Sequence, residues 1–470
     1  MKLTHPTQTI VATAIPKITS DFPGLELVSW YSAAFFLTNG GFQSSWGKAY
    51  RYFPLKLTFL TAIFVFEIGS LACAVAPSST VFIIGRALNG LGAAGIGTGA
   101  YTIIAFVAPP NKRAVYTGFV GMSFGMACVV GPLVGGIFAD KVSWRWCFWI
   151  NLPVGGLAAA IILVFFQAPE AARPVEASWK EKVLQMDPVG VVLVMGAIVA
   201  FMLALQYGGT TAPWGSGLVV GLLVGFVALV VVFVVWEWYQ GERAIVVPRL
   251  FGKREVWVSC GFAETFLGSY YLVIYVLPIY FQVVGDASPI MSGVYNLPLI
   301  VATTISMIAS GAIISATGLA VPLQLLGASI GLVATGLLFT LDSDNGVGKW
   351  VGFQLLGGVG WGLAFQIPII MAQANADPEN ISSVTAMVLC KLSLAIEKKR
   401  VSTANLPKSF NASDPLPLSR RHKRPLSTSS RRRCTLPLRT LIRPRWFRPA
   451  PLPSVLCSLR VRWLGLWRPT

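Results

Sequence analysis

The residue best placed to do chemistry is an arginine inside an apolar run, Phe82-Ile83-Ile84-Gly85-Arg86-Ala87-Leu88-Asn89-Gly90. A charge at membrane depth must face a cavity or a partner, and such residues carry protons or counter-ions. The plainer alternative is an arginine that snorkels to the interface. Two acids sit in similar company: Glu67 in Phe66-Glu67-Ile68-Gly69, and Glu264 in Ala263-Glu264-Thr265. Each reads as a proton site, and Glu67 reads equally well as a packed, paired acid. Polar residues that could line a cavity are Asn39, Gln43, Asn89 and Gln366. Tyr270, Tyr271, Tyr275 and Tyr280 could offer aromatic faces to substrate, with Tyr271 among the cavity candidates; their spacing does not place all four on one helix face, so half of them would face lipid or pack. Hydrolytic or metal chemistry has no residues to use. There are two histidines, His5 and His422, and the cysteines form neither a CxxC nor a Cys/His cluster. No catalytic residue, metal site or bound cofactor is expected, and the chain does not read as an enzyme.

The elements that must position these residues are membrane helices. The sequence is 54% hydrophobic and 12% charged, and a helix needs about 20 apolar residues to cross a bilayer. The runs are too long and too little alternating for barrel strands. Candidate spans are Leu27–Phe42, Leu57–Ala76, Val81–Val107, Tyr116–Ala139, Trp146–Phe166, Val189–Leu205, Leu218–Trp238, Val258–Gln282, Met291–Ala316, Pro322–Leu341 and Val351–Met371, with a last one beginning near Val384. Before them, Ile10–Ile18 is too short to span. Every second loop is basic: Lys48–Lys56, the loop with Lys112 and Arg113, Pro169–Met186, and Gln240–Glu255. These loops are expected in the cytosol. Asp140–Arg145, with Lys141 and Arg145, is an exception on the outer side. No cleavable signal pattern is read at Met1.

Three motifs stand in order. First comes a basic, glycine-anchored loop, Trp46-Gly47-Lys48-Ala49-Tyr50-Arg51-Tyr52-Phe53-Pro54-Leu55-Lys56, whose Gly47, Lys48, Arg51 and Lys56 could lock two helices at one face. The Arg86 span follows, with Gly90, Gly92 and Gly95 for close helix approach. The third is Gly121 to Gly136, where Pro132 removes a backbone donor among Gly125, Gly131, Gly135 and Gly136.

Together these motifs resemble the major facilitator superfamily, and the Gly-Pro-Gly-Gly span resembles its antiporters. Gln8-Thr9-Ile10-Val11-Ala12-Thr13-Ala14-Ile15-Pro16, the stretch Trp144 to Gly156, and Gly360 to Pro368 are similar to the 14-span drug:proton antiporter branch, in its fungal toxin-efflux group. The resemblance implies an all-α polytopic membrane protein with two extra central helices. Its expected parts are a helical half in 1–168, the extra helices and their loops in 169–256, an incomplete second half in 257–390, and a tail in 391–470. Substrate would bind between the halves near the midplane. Arg86 would help relay protons, and the Pro132 helix would couple the gates.

The sequence departs from that family in three places. The apolar half ahead of Gln8 is missing, with Thr7 in place of an acid, and the basic loop lacks its acid near Tyr50 or Arg51. The last one and a half spans are replaced by a basic Pro/Ser/Arg-rich tail. From Lys391 onward there are 19 Lys and Arg against Glu397 and Asp414, which is +17 of the formal +18. Cys390-Lys391-Leu392 can be encoded with GTAAGT, an intron start, and Ala404-Asn405 with a branch-point pattern. Regrouping the later codons permits residues the family carries there. The tail is therefore expected to be retained intron followed by a shifted frame, without stable fold. The alternative is a natural basic tail that binds anionic lipid.

The expected function is proton-coupled export of small apolar or amphipathic compounds: a secondary metabolite, toxin or drug. The expected setting is a monomer in the plasma membrane, with a vacuolar or vesicular membrane as the alternative, and without nucleic acid. The alternatives are a siderophore or other small-molecule carrier of the same fold, or an inactive product of a mis-spliced gene.

Overall fold

A computed structural model describes residues 17–22, 27–209, 211–285, 287–341 and 346–390. The tail from Lys391 and most of Ile10–Ile18 lie outside the described residues, so the expectations placed on them are not tested there. The described chain is helical. Its helices are α1 Val28–Tyr52, α2 Leu55–Ala74, α3 Ser79–Val107, α4 Arg113–Lys141 and α5 Trp146–Phe165. A short α6 Trp179–Gln185 precedes the hairpin of α7 Pro188–Tyr207 and α8 Gly217–Gln240. Then come α9 Arg254–Val283, α10 Leu297–Thr317, α11 Ala320–Leu338, α12 Val347–Ala364, α13 Ile367–Ala374 and α14, residues 381–390. Among the described residues, nine helical stretches are long and apolar enough to cross a bilayer.

Local signals account for the boundaries. Ser78, Ser178 and Ser216 accept backbone N–H bonds at the starts of α3, α6 and α8, which satisfies donors a helix start leaves open. Gly318 takes a positive φ of 71° to end α10. Helices α1, α2 and α3 pack together, and close contact is possible because glycine leaves room. A Cβ on Gly92 would stand 2.6 Å from the Phe66 Cα. A second group forms around α10, α11 and α12, where a Cβ on Gly360 would stand 2.8 Å from the Gly331 Cα. The α7–α8 hairpin lies at the side. Val224, Val227, Val231 and Val235 of α8 are exposed, and that apolar surface requires lipid as its solvent.

One sequence expectation needs correction, and three expected spans are present but carry interruptions. The basic stretch is not a loop: α1 continues through Gly47, Lys48 and Arg51 to Tyr52, and Lys56 already lies in α2. Only Phe53 and Pro54 connect the helices. Proline forces the residue before it out of the helical region, and Phe53 is extended at φ −123° and ψ 155°. The span expected at Val258–Gln282 starts at Arg254 and contains a π-helical turn, Ala263–Leu267. The span Met291–Ala316 is divided into Pro289–Tyr295 and α10 at Asn296. The span Val351–Met371 is divided into α12 and α13 at Phe365-Gln366, just before Pro368.

The outer-side basic exception has a structural explanation. Arg145 Nη1 donates to the carbonyls of Ala74 and Ala76 at 3.0 and 2.9 Å. Its guanidinium stands 4.6 Å from the Trp144 ring centroid. The charge caps the C-terminal end of α2, where a cation is favoured.

Candidate functional site

Arg86 is 1% exposed in the α1–α3 packing. Its Nε donates to the Tyr31 carbonyl at 2.9 Å, and its guanidinium lies 4.6 Å from the Phe35 ring centroid. It does not snorkel; it is held against α1. One turn on, Asn89 takes part in a buried relay. Asn151 Nδ2 donates to Ser70 Oγ at 3.2 Å, and Ser70 Oγ donates to Asn89 Oδ1 at 3.1 Å. The relay joins α5, α2 and α3. Glu67 of α2 points at α5, where Gly155 leaves the space its carboxyl fills. Both Glu67 oxygens are buried without a hydrogen-bond partner among the described residues. Glu264 lies half-buried in the π turn of α9, and the structure does not bring it to Arg86 or Glu67.

The basic stretch divides its work among three neighbours. A Cβ on Gly47 would stand 2.9 Å from the Ser382 carbonyl oxygen, and Gly47 rests against Ala386 of α14. Arg51 Nη2 pairs with Glu379 Oε2 at 3.5 Å. Both contacts tie α1 to the segment around α14, as does Cys390, whose thiol donates to the Gly40 carbonyl at 3.3 Å. Lys48 instead reaches the hairpin, with Nζ bonded to the carbonyls of Glu242 and Arg243 at 3.1 and 2.6 Å. Lys56 caps α5 through the Leu163 carbonyl at 2.8 Å. At the same end, Lys253 pairs with Asp377 at 3.5 Å. The Asn380 amide and the Lys253 ammonium hold Asp377 below its usual carboxylate range.

The glycines of α4 form a seam with α10. Gly118 and Gly121 face Met307, and Gly125 faces Thr304. From the other side, Gly311 sits against Ala114 and Val115. Farther along, Gly131 and Gly135 are buried in α4, Pro132 lies within the same helix, and Gly136 has open space around it.

Above this seam the two helix groups meet at a polar bond. Tyr101 of α3 donates its hydroxyl to Gln366 Oε1 at 3.2 Å. Gln366 occupies the break between α12 and α13, and its Nε2 is buried without a partner among the described residues. Gln373 Nε2 reinforces the join, donating to Thr385 Oγ1 at 2.8 Å and to the Tyr101 carbonyl at 3.4 Å. Aromatic rings from α4, α9 and the α12–α13 break lie around the bond. Phe124 lies 6.1 Å from Tyr271 and 6.2 Å from Phe365 by ring centroid, and Tyr270 lies 5.8 Å from Phe365. Gln43 stands apart, donating to Thr98 Oγ1 at 3.4 Å, and Asn39 is half-buried on α1. Sequence reasoning passed over Tyr101, Phe124 and Phe365, which read as ordinary span residues until the break at Gln366 is seen.

This arrangement is a membrane bundle with a polar contact between helix groups, an aromatic wall and a charged closure at one end. No group of His, Cys, Asp or Glu able to hold a metal occurs among the described residues. Residues 3–395 match the family described as Major Facilitator Superfamily. The chain is 55% identical over 381 residues to the MFS-type transporter grgE of a Penicillium species, covering 81% of this chain and 68% of that one. It is 50% identical over 381 residues to the probable efflux pump gsfJ of Penicillium aethiopicum, again with 81% and 68% coverage. The chain thus spans about two thirds of the length of these relatives. In fold it is similar to the human organic anion transporter MFSD10, with a TM-score of 0.61 at 12% identity, over 86% of this chain and 91% of that one. The chain belongs to the major facilitator superfamily of multi-pass membrane transporters.

Proposed function

We propose that this chain exports small apolar or amphipathic compounds, such as a secondary metabolite, toxin or drug, in exchange for protons. The observation that carries the reading is the Tyr101–Gln366 bond, with its spare amide donor, beside an aromatic wall where the helix groups meet. An apolar compound with one hydrogen-bond acceptor suits that chemistry. A relative named as a probable efflux pump supports the direction of transport. The proton gradient supplies the energy, with Arg86, Glu67 and Glu264 as the groups that respond to it. The ends bearing Lys48, Lys112 and Arg249 face the cytosol. Contacts of Gly47, Arg51 and α14 then form the inner closure, and alternating access comes from relative motion of the groups. The chain works as a monomer in the plasma membrane, with the bilayer as its solvent.

The test is efflux of a fluorescent apolar dye from cells that lack their own pumps and express the full chain. Efflux should stop when a protonophore collapses the gradient. Gln366→Leu should leave the protein in the membrane and slow efflux. Efflux indifferent to the protonophore removes the proton coupling, and absence of efflux above the empty host removes the export reading.

A further inference from the structure

The base of the α7–α8 hairpin holds two buried acids that transport through the bundle does not use. Asp187 is 1% exposed and Glu237 is 6% exposed. They lie fifty residues apart in sequence, at the start of α7 and the end of α8. Their carboxyls converge on Gly190. A Cβ there would collide with Asp187 Oδ2 and stand 2.9 Å from Glu237 Oε1.

Three of the four carboxyl oxygens are served by donors. Asp187 Oδ1 accepts from the Gly190 N–H at 3.0 Å and from Trp236 Nε1 at 2.9 Å. Glu237 Oε1 and Oε2 accept from the Ile245 and Val246 N–H groups at 3.3 and 2.7 Å. Asp187 Oδ2 is buried and has no donor among the described residues. It is turned toward the other acid. The backbone is bent to put it there: Asp187 has φ 44° and ψ 65°, a positive φ otherwise confined to glycine among the described residues. Such conformations persist where the surroundings impose them, and they cluster at functional places.

The charges around the pair are few. Lys48 faces it from α1, and Arg51 and Glu242 stand around Lys48. Lys48 is 3% exposed and is already committed to Gln185 Oε1 and to the carbonyls of Glu242 and Arg243. Arg243 is engaged with Glu181 through two bonds of 2.9 and 2.6 Å. Two ionised carboxylates in contact inside a buried site repel each other, and one proton between them removes the repulsion.

We propose that Asp187 and Glu237 form a proton-binding site, in which one proton bridges Asp187 Oδ2 and Glu237 Oε1 and closes the base of the hairpin. The proton fills the one acceptor position without a donor. Its loss sets two carboxylates against each other at Gly190 and pushes the start of α7 from the end of α8. The carbonyls gripped by Lys48 follow Glu237 by five and six residues, so the same displacement loosens the hairpin from α1. The site lies outside the substrate region and stands independently of the export reading.

The test is infrared spectroscopy of the purified full chain in lipid, in a Glu67→Gln, Glu264→Gln background that removes two other acids placed within spans. A deuterium-sensitive C=O stretch of a protonated carboxyl is expected at neutral pH. Asp187→Asn and Glu237→Gln, each close in shape, should each abolish it. Thermal unfolding gives a second readout. The folded pair keeps a proton that the unfolded acids release, so raising the pH should lower Tm until the folded pair also ionises. Glu237→Gln puts a permanent amide donor opposite Asp187 Oδ2 and should remove that pH dependence without loss of fold. A carboxyl band that survives both substitutions, or a Tm slope unchanged by Glu237→Gln, overturns the proposal.

Discussion

Tyr101 donates its hydroxyl to Gln366 across the seam between the two helix groups, at 3.2 Å. The donor belongs to the last third of a continuous helix and the acceptor to the break between two helices. Tyr101→Phe removes the bond but keeps the ring. A neutral hydrogen bond contributes about 1 kcal/mol net, which is roughly a fivefold change in a two-state population. Expected is a fivefold shift toward the state in which the groups separate at this level, read by cysteine accessibility along α13. A shift of the same size in Gln366→Leu, and none beyond it in the double variant, shows that both act through one bond.

Gly47→Leu should block closure at the basic end. The new side chain meets Ala386 and the Ser382 carbonyl, which is α14 backbone that cannot turn aside. Overpacking of this kind costs about 1–3 kcal/mol. Labelling of a cysteine near Ser383 should rise while the protein still inserts and binds substrate. Unchanged labelling would show that this contact does not gate.

Arg86→Ala should stop transport, and Arg86→Lys should impair it. Lysine keeps the charge but cannot reproduce the Nε–H to the Tyr31 carbonyl or the flat contact with Phe35. The measurement is dye efflux normalised to membrane-inserted protein. Full efflux by the lysine variant would reduce Arg86 to a point charge.

Arg145→Met tests whether a basic residue on the outer side is tolerated or needed. Charge rules alone make its removal harmless or helpful to orientation. The two carbonyls it caps predict the opposite: a loss of about 1.5–3 kcal/mol, read as a lower Tm. Lys141→Met should change Tm far less.

Orientation itself is open to cysteine labelling. Gly215→Cys, in open space between α7 and α8, should react with an impermeant reagent added outside. Lys112→Cys, exposed between α3 and α4, should not.

Hydropathy made most helices legible, because a span's length and apolarity are local properties of the chain. Arg86 was legible for the same reason, as a charge set against its own surroundings. The interruptions were not. The π turn at Ala263–Leu267 and the break at Phe365-Gln366 leave the apolar run unchanged, and only Pro368 marks the second. Lys48 and Arg51 read as one basic motif, yet stand a turn apart on α1 and hold different partners, since helix faces divide what a loop would share. Asp187 and Glu237 carry no signal in the sequence, because nothing in a linear reading joins residues at opposite ends of a hairpin.

The connection between α1 and α2 has a mechanical meaning. Pro54 fixes its own φ and biases Phe53 to the extended backbone it adopts, so the two-residue joint is short and restricted. The two helices leave this joint as a hairpin held at both ends: α14 rests on it at Gly47, and Arg145 grips its far tip at Ala74 and Ala76.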